Sequence, residues 1–173
     1  MLPEALKELT LLPNWVVYRL IIDKNSYKST KLPFDPINNV PAKVNDPNTW
    51  ATYEIASNTF KNHSYDGIGF MIDNGYVGID LDSCIDKFNE IDNFARNVIS
   101  IVNSYTEFSP SNKGLHILCK SNTRSNINTK INRLNIEIYN NNRFFTITGM
   151  PYLDKPIMNR TSELEYLFDY IKR

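Results

Sequence analysis

Asp80 and Asp82 are separated by one residue in the run Val77-Gly-Ile-Asp-Leu-Asp82. In an extended strand side chains alternate, so both carboxylates leave one face while Ile79 and Leu81 point into a core. Two like charges a few ångströms apart repel, and a bound divalent cation is the obvious way to stabilise them. Hard oxygen ligands of this kind suit Mg²⁺ or Mn²⁺. Glu137 repeats the pattern, flanked by Ile136 and Ile138. If its strand neighbours that of Asp80, three carboxylates converge. Taken alone, an Asp-x-Asp pair reads more readily as the solvated face of an edge strand. The flanking Val77, Ile79 and Leu81 argue against that, because they mark a buried strand on which idle carboxylates are poor sheet formers.

A second segment with chemical potential is Ser109-Pro-Ser-Asn-Lys-Gly114, a polar, glycine-ended loop feeding Leu115-His-Ile117. Backbone N–H groups, the Ser111 hydroxyl and the Lys113 ammonium are suited to phosphate oxygens, with His116 as a further donor. It is not a P-loop, since the Gly-x4-Gly-Lys-Ser/Thr pattern is absent. By itself the segment also reads as an ordinary turn followed by a half-buried histidine.

Other chemistries find less support. His63, Cys84, His116 and Cys119 contain no ligand pair at zinc spacing. No Gly-x-Ser-x-Gly elbow presents a nucleophile. Trp15, Tyr18, Trp50, Tyr53 and Phe60 read as core residues rather than stacking platforms. Cys84 and Cys119 read as reduced thiols of a cytoplasmic protein. The start of the chain lacks a basic n-region and a cleavage site, and no apolar run is long enough to span a membrane.

With 173 residues, 42% of them hydrophobic, the chain has the size and apolar content of one globular domain. Its 19 Lys and Arg balance 19 Asp and Glu, which argues against a non-specific nucleic-acid coat. The charge is segregated, however. Residues 73–92 are acidic apart from Lys87, and residues 113–143 are basic apart from Glu137. On charge alone, solvated faces would account for this equally well. The many asparagines suggest no mechanism at this level.

The elements that must position these residues follow from pattern. A short helix is expected over residues 3–9, a strand over 15–22, a polar loop over 24–30 and an edge strand over 31–34 that tolerates Pro33. Asp46 as N-cap and Pro47 at the first helical position start a helix running to about Phe60. Strands over 68–72 and 76–82, joined by Asp73-Asn74-Gly75, read as an antiparallel hairpin. An apolar stripe predicts a helix over 92–102. Strands over 115–119, 134–139 and 143–148 follow, the last two joined by Asn140-Asn141-Asn142. A closing helix is expected over 161–173. The fold class is α+β, an antiparallel sheet backed by helices.

Taken together the segments resemble the primase-polymerase domain of phage and plasmid replication proteins, in the archaeo-eukaryotic primase superfamily. The resemblance covers residues 15–149 of a single two-lobed domain. It rests on Trp15-Val-Val-Tyr-Arg-Leu, Lys31-Leu-Pro-Phe, Asn45-Asp-Pro-Asn-Thr-Trp-Ala-Thr-Tyr, Asp66-Gly-Ile-Gly-Phe, Val77-Gly-Ile-Asp-Leu-Asp, the segment from Ser104 through Ile117, Ile136-Glu-Ile-Tyr and Arg143-Phe-Phe-Thr-Ile-Thr-Gly. Each is weak alone, whereas their order and spacing are specific.

The resemblance implies an RRM-like antiparallel catalytic sheet packed with an N-terminal α/β subdomain, helices on the outer faces. It implies that Asp80, Asp82 and Glu137 hold two metal ions, Mg²⁺ or Mn²⁺, for nucleotidyl transfer from a nucleoside triphosphate, ribo- or deoxy-, to a primer 3′-hydroxyl. Ser111, Lys113 and His116 would contact the incoming phosphates, with Arg143, opening the strand beside Glu137, as a further contact. Lys120, Arg124, Lys130 and Arg133, assisted by Lys31, would track a single-stranded DNA template. The expected protein is a DNA-dependent primase-polymerase of a phage, plasmid or other mobile element, working in the cytoplasm of a bacterial host. No Walker A motif is present, so a replicative helicase is expected either as a separate partner or on the remainder of a longer chain. The zinc module of some relatives is absent too. An alternative is a non-catalytic module that binds single-stranded or origin DNA and recruits a helicase. Metal-dependent phosphodiester cleavage on a related scaffold would need a His-x-His-like pair, which is missing.

Overall fold

A computed structural model describes residues 2–22, 29–123 and 125–172. A 3-10 helix, Glu4–Leu11, is followed by β1 (Trp15–Ile22), β2 (Ser29–Phe34), a 3-10 turn at Pro47–Thr49, α1 (Tyr53–Asn62), β3 (Gly67–Ile72), β4 (Tyr76–Leu81) and α2 (Asn93–Val102). Then come β5 (Thr106–Phe108), β6 (Leu115–Lys120), β7 (Thr129–Ile131), a 3-10 turn at Asn132–Leu134, β8 (Ile136–Tyr139), β9 (Arg143–Ile147), β10 (Pro151–Leu153) and α3 (Thr161–Lys172). Most of the expected polar loop over 24–30 lies outside the described residues; Ser29 and Thr30 already belong to β2.

The chain divides into two compact units, one holding Ile72–Asn141 and Thr148–Arg173 with the first residues, the other Lys7–Met71 with Asn142–Ile147. The second contains a four-stranded sheet of order β2-β1-β3-β9. Its edge strand carries Pro33, opposite Tyr18, as a residue without a ladder donor requires. Trp15 is fully buried, meets Tyr53 and Phe70 edge-to-face at 4.9 and 5.4 Å, and donates its indole N–H to the Leu9 carbonyl. Trp50 and Tyr18 are buried as expected, but Phe60 is 39% exposed and departs from the core assignment.

The helix expected from Asp46 to Phe60 is broken. Asp46 does cap Pro47–Thr49, but Ala51 exchanges both backbone hydrogen bonds with Trp15, which pulls the chain into an extended conformation. Thr52 then caps α1 afresh, accepting from the Ile55 N–H. A pair of strand-type bonds to a buried tryptophan outweighs the local preference to continue one helix.

The first unit contains a six-stranded sheet of order β10-β5-β6-β4-β8-β7, every pairing antiparallel. One face is apolar: Val77, Ile79, Leu81, Leu115, Ile117, Ile136 and Ile138 pack with Ala95, Val98 and Val102 of α2 and Leu164, Leu167 and Ile171 of α3. Asp92 caps α2 through the Ala95 N–H. The Asp73-Asn74-Gly75 turn has positive φ at Asn74 (56°) and Gly75 (82°), as a tight turn of this composition requires. It does not make a hairpin, however. Both edges of β4 are occupied, by β6 and β8, so β3 pairs in the other sheet.

The asparagines acquire a mechanism here. Seven of the eight described non-glycine residues with positive φ are asparagine: Asn39, Asn74, Asn89, Asn103, Asn112, Asn135 and Asn142. Their short amide side chains tolerate the left-handed region, so in a chain with only 6 glycines they supply its turns and helix ends.

Both thiols are free and buried. Burial pushes the Cys119 thiol up to about 12, and burial with the Asp92 charge pushes Cys84 up to about 11. Since the thiolate is the nucleophile, neither is expected to react with iodoacetamide in the folded chain near neutral pH, whereas both react in denaturant. Mass spectrometry of alkylated native protein tests this, and rapid labelling of either cysteine would contradict it.

Candidate active site

The face of the six-stranded sheet opposite α2 and α3 carries a row of charged groups at right angles to the strands. In register, Lys130 of β7 stands opposite Glu137 of β8, Glu137 opposite Asp80 of β4, Asp80 opposite His116 of β6, and His116 opposite Glu107 of β5. Period-two alternation produces this row: Asp80, His116 and Glu137 each lie between two residues that feed the apolar face, and Lys130 and Glu107 each precede one, Ile131 and Phe108. Directly opposed side chains in a sheet stand within contact range, so the row is an electrostatic unit.

Asp80 at its centre is half-buried, and its neighbours on both sides are buried. His116 is 3% and Glu137 5% exposed, so His116 is more enclosed than a half-buried turn residue. His116 Nε2 lies 3.7 Å from Asp80 Oδ1, and Nδ1 lies 3.8 Å from Glu107 Oε1. Glu137 receives the Lys130 ammonium and, at 2.8 Å, the Tyr139 hydroxyl. The Lys130 ammonium against Glu137 offsets part of the repulsion of the Asp80–Glu137 pair.

Asp82 is the first residue after β4 and is exposed, but its N–H still bonds the Asn135 carbonyl at 2.9 Å. With Glu137, Lys130, Asn132 and Asn135 it lines a polar pocket. The expected meeting of three carboxylates is therefore only partly formed: Asp80 and Glu137 are opposed, and Asp82 shares a pocket with Glu137. Among the described residues no group of three or more His, Cys, Asp or Glu side chains is arranged to hold a metal ion. In its chemistry the donor set nevertheless fits a hard divalent cation, being all oxygen, and a cation in the form of the Lys130 ammonium already stands against Glu137.

The Ser109–Gly114 loop is anchored at the end of β4. A Cβ on Gly114 would lie 2.6 Å from the Leu81 carbonyl oxygen and 3.5 Å from the Asp82 Cα, so only glycine admits this approach. The Ser109 N–H bonds the Gly114 carbonyl, and Lys113 accepts from the Ile85 N–H. Ser111 Oγ meets Ser109 Oγ at 3.0 Å and accepts from the Lys113 N–H. Ser111 and Lys113 are exposed beside the start of β6, where His116 begins the buried row.

Several expected placements change. The strands beside Glu137 are β4 and β7, so Arg143, on β9 of the other sheet, does not open a strand next to it. A turn redirects the chain without fixing which sheet the next strand joins, and Asn140-Asn141-Asn142 leads out of one sheet into the other. Lys31 likewise lies on β2 of that other sheet. Lys130, expected on a template path, stands against Glu137 in the row. The Arg133 guanidinium donates to the Ile171 carbonyl near the end of α3, which ties it to the helix side. Lys120 sits opposite Tyr76 at the other end of β4 and β6, with its ammonium 5.4 Å from the Tyr76 ring. Arg124 lies outside the described residues.

Glu107 is the member of the row that sequence reasoning missed. The signal was present: a carboxylate between Thr106 and Phe108 in a short β-forming run, the same anomaly that singled out Asp80. A three-residue strand is too short for alternation to declare itself.

No protein-family model matches the chain. Over 151 residues, 84% of its length, it is 30% identical to the DNA primase-polymerase of Nitratiruptor phage NrS-1. The chain belongs with the primase-polymerase domains. It matches 20% of the length of that phage protein. In this primase-polymerase domain the fold is mixed α/β with antiparallel sheets. None of its described helices is long and apolar enough to cross a membrane.

Proposed function

We propose that this domain is the catalytic part of a DNA-dependent primase-polymerase, making or extending primers on single-stranded DNA for a phage, plasmid or other mobile element. The observation that supports it most is the register row from Lys130 to Glu107 with the Ser109–Gly114 loop beside it. A binding module has no use for a half-buried Asp80 opposite a buried Glu137 across a sheet, since burial of charge destabilises a fold. In this reading the six-stranded sheet with α2 and α3 on one face is the RRM-like catalytic half.

Asp80, Asp82 and Glu137 would hold divalent cations, Mg²⁺ or Mn²⁺, whose charge, when bound, offsets that of the triphosphate and of the attacking 3′-oxygen. The chain's own residues do the rest. Exposed Ser111 and Lys113 bind phosphate oxygens, His116 donates to the same group from the buried row, and the rigid end of β4 orients the α-phosphate for in-line attack. Lys130, whose ammonium stands against Glu137, would share that carboxylate's charge with a cation held there. A replicative helicase, encoded separately or on a longer chain, is the proposed partner that supplies single-stranded template.

Nucleotide incorporation on single-stranded DNA tests this, with and without a primer, with ribo- and deoxynucleotides and with either metal. Primer-independent product marks a self-sufficient primase, and primer-dependent product a polymerase that a partner must start. Intact DNA binding with no product under any condition would overturn the catalytic reading in favour of a helicase-recruiting module.

A further inference from the structure

Arg19 lies where the four-stranded sheet narrows. β3 pairs with β1 over Trp15–Tyr18, whereas β2 follows β1 as far as Ile22, so from Arg19 onward β1 and β2 run on as a two-stranded ribbon. The Arg19 side chain is exposed there, yet it is held in place. Phe34, its diagonal neighbour on the same face of β2, and Tyr65 support the guanidinium, whose Cζ stands 5.2 and 4.6 Å from the two ring centroids. The platform is itself braced. The two rings meet at 5.8 Å, and the Tyr65 hydroxyl donates to Asn39 Oδ1 at 2.9 Å. Two carboxylates stand next in sequence to the rings, Asp35 after Phe34 and Asp66 after Tyr65, and neither pairs with Arg19. Asp35 is buried and accepts from the Ile37 and Asn38 N–H groups and from the Asn38 amide. Asp66 accepts from the Leu20 N–H at 2.6 Å, and its own N–H bonds the Tyr18 carbonyl. Among the described residues none accepts a hydrogen bond from the guanidinium, so the rings orient its N–H donors toward solvent.

We propose that Arg19 binds a backbone phosphate of single-stranded nucleic acid, its guanidinium pre-oriented by Phe34 and Tyr65. A planar guanidinium lying on aromatic rings offers its N–H fork at the free edge, which matches two oxygens of a phosphodiester. Stacking removes in advance much of the rotamer freedom that a long side chain otherwise loses on binding. A contact of this kind holds a strand without reading its bases. That the phosphate belongs to a DNA strand rests on the functional reading above, whereas the oriented guanidinium does not.

Fluorescence anisotropy of a labelled oligothymidylate, read over a salt series without nucleotide, tests this on the full chain. Arg19→Gln keeps an alkyl stem on the rings but lacks the charge. It is expected to weaken binding about tenfold and to lower the slope of log affinity against log salt by about 0.7, the share of one phosphate on a single strand. Arg19→Lys keeps the charge and loses the planar fork, so the slope should stay as in the wild type while the affinity falls. Thermal melts establish that both variants are folded. An abasic strand of equal length retains the phosphates, and the effect of Arg19→Gln should persist on it; its disappearance there would assign Arg19 to the bases and overturn the proposal. Wild-type affinity and slope in Arg19→Gln would make Arg19 a packing residue and overturn it as well, as would a wild type that binds no strand. Strand binding that depends on Arg19 in a protein that incorporates no nucleotide would overturn the catalytic reading and leave this site standing. Incorporation by the wild type with no effect of Arg19 on binding would do the reverse.

Discussion

Asp80→Ala abolishes nucleotide incorporation, by a factor on the order of 10³ or more, while the protein stays folded. Asp80 is the centre of the row, opposite Glu137 on one side and His116 on the other. Like charges directly opposed across a sheet destabilise it. Removing Asp80 relieves that repulsion, and Ile79 and Leu81 keep β4 in the apolar core. The thermal midpoint is therefore expected to hold or to rise slightly. Asp82→Ala should behave alike in activity with less effect on the midpoint, because Asp82 is exposed beyond the strand. Incorporation assays beside thermal melts separate the two quantities. Retained synthesis in either variant rules out the assignment of these carboxylates to the metal ions.

Gly114→Ala damages both stability and nucleotide binding. The added Cβ would sit 2.6 Å from the Leu81 carbonyl oxygen, which belongs to backbone and has no rotamer to escape into. Either the loop lifts from the end of β4 or β4 shifts against β6. Overpacking of this kind costs about 1–3 kcal/mol. If Ser111 and Lys113 bind phosphate, lifting the loop also displaces them from Asp82, and the KM for nucleotide should rise at least about tenfold, as misplacement by an ångström does elsewhere. Denaturant titration gives the first effect and steady-state kinetics the second. A destabilised variant with wild-type KM would take the loop out of the nucleotide site.

What the amino-acid sequence determined by itself is everything carried by local periodicity. Ile79 and Leu81 around Asp80, and Ile136 and Ile138 around Glu137, declare which way each carboxylate leaves its strand, because alternation is a property of a single extended chain. Asp92 before an apolar stripe declares α2, and Asn74-Gly75 declares a turn with positive φ, for equally local reasons. Strand partnership is not local. It depends on which sheet edges remain open, and two neighbours, β6 and β8, close both edges of β4, which sends β3 to a different sheet despite a turn suited to a hairpin. The same non-local choice placed Arg143 in the other sheet, brought Lys130 to Glu137, and broke the expected helix at Ala51 in favour of a backbone pair with Trp15. Glu107 joined the row only when a three-residue strand found β6, because pairing in the folded sheet aligns side chains that lie far apart in sequence.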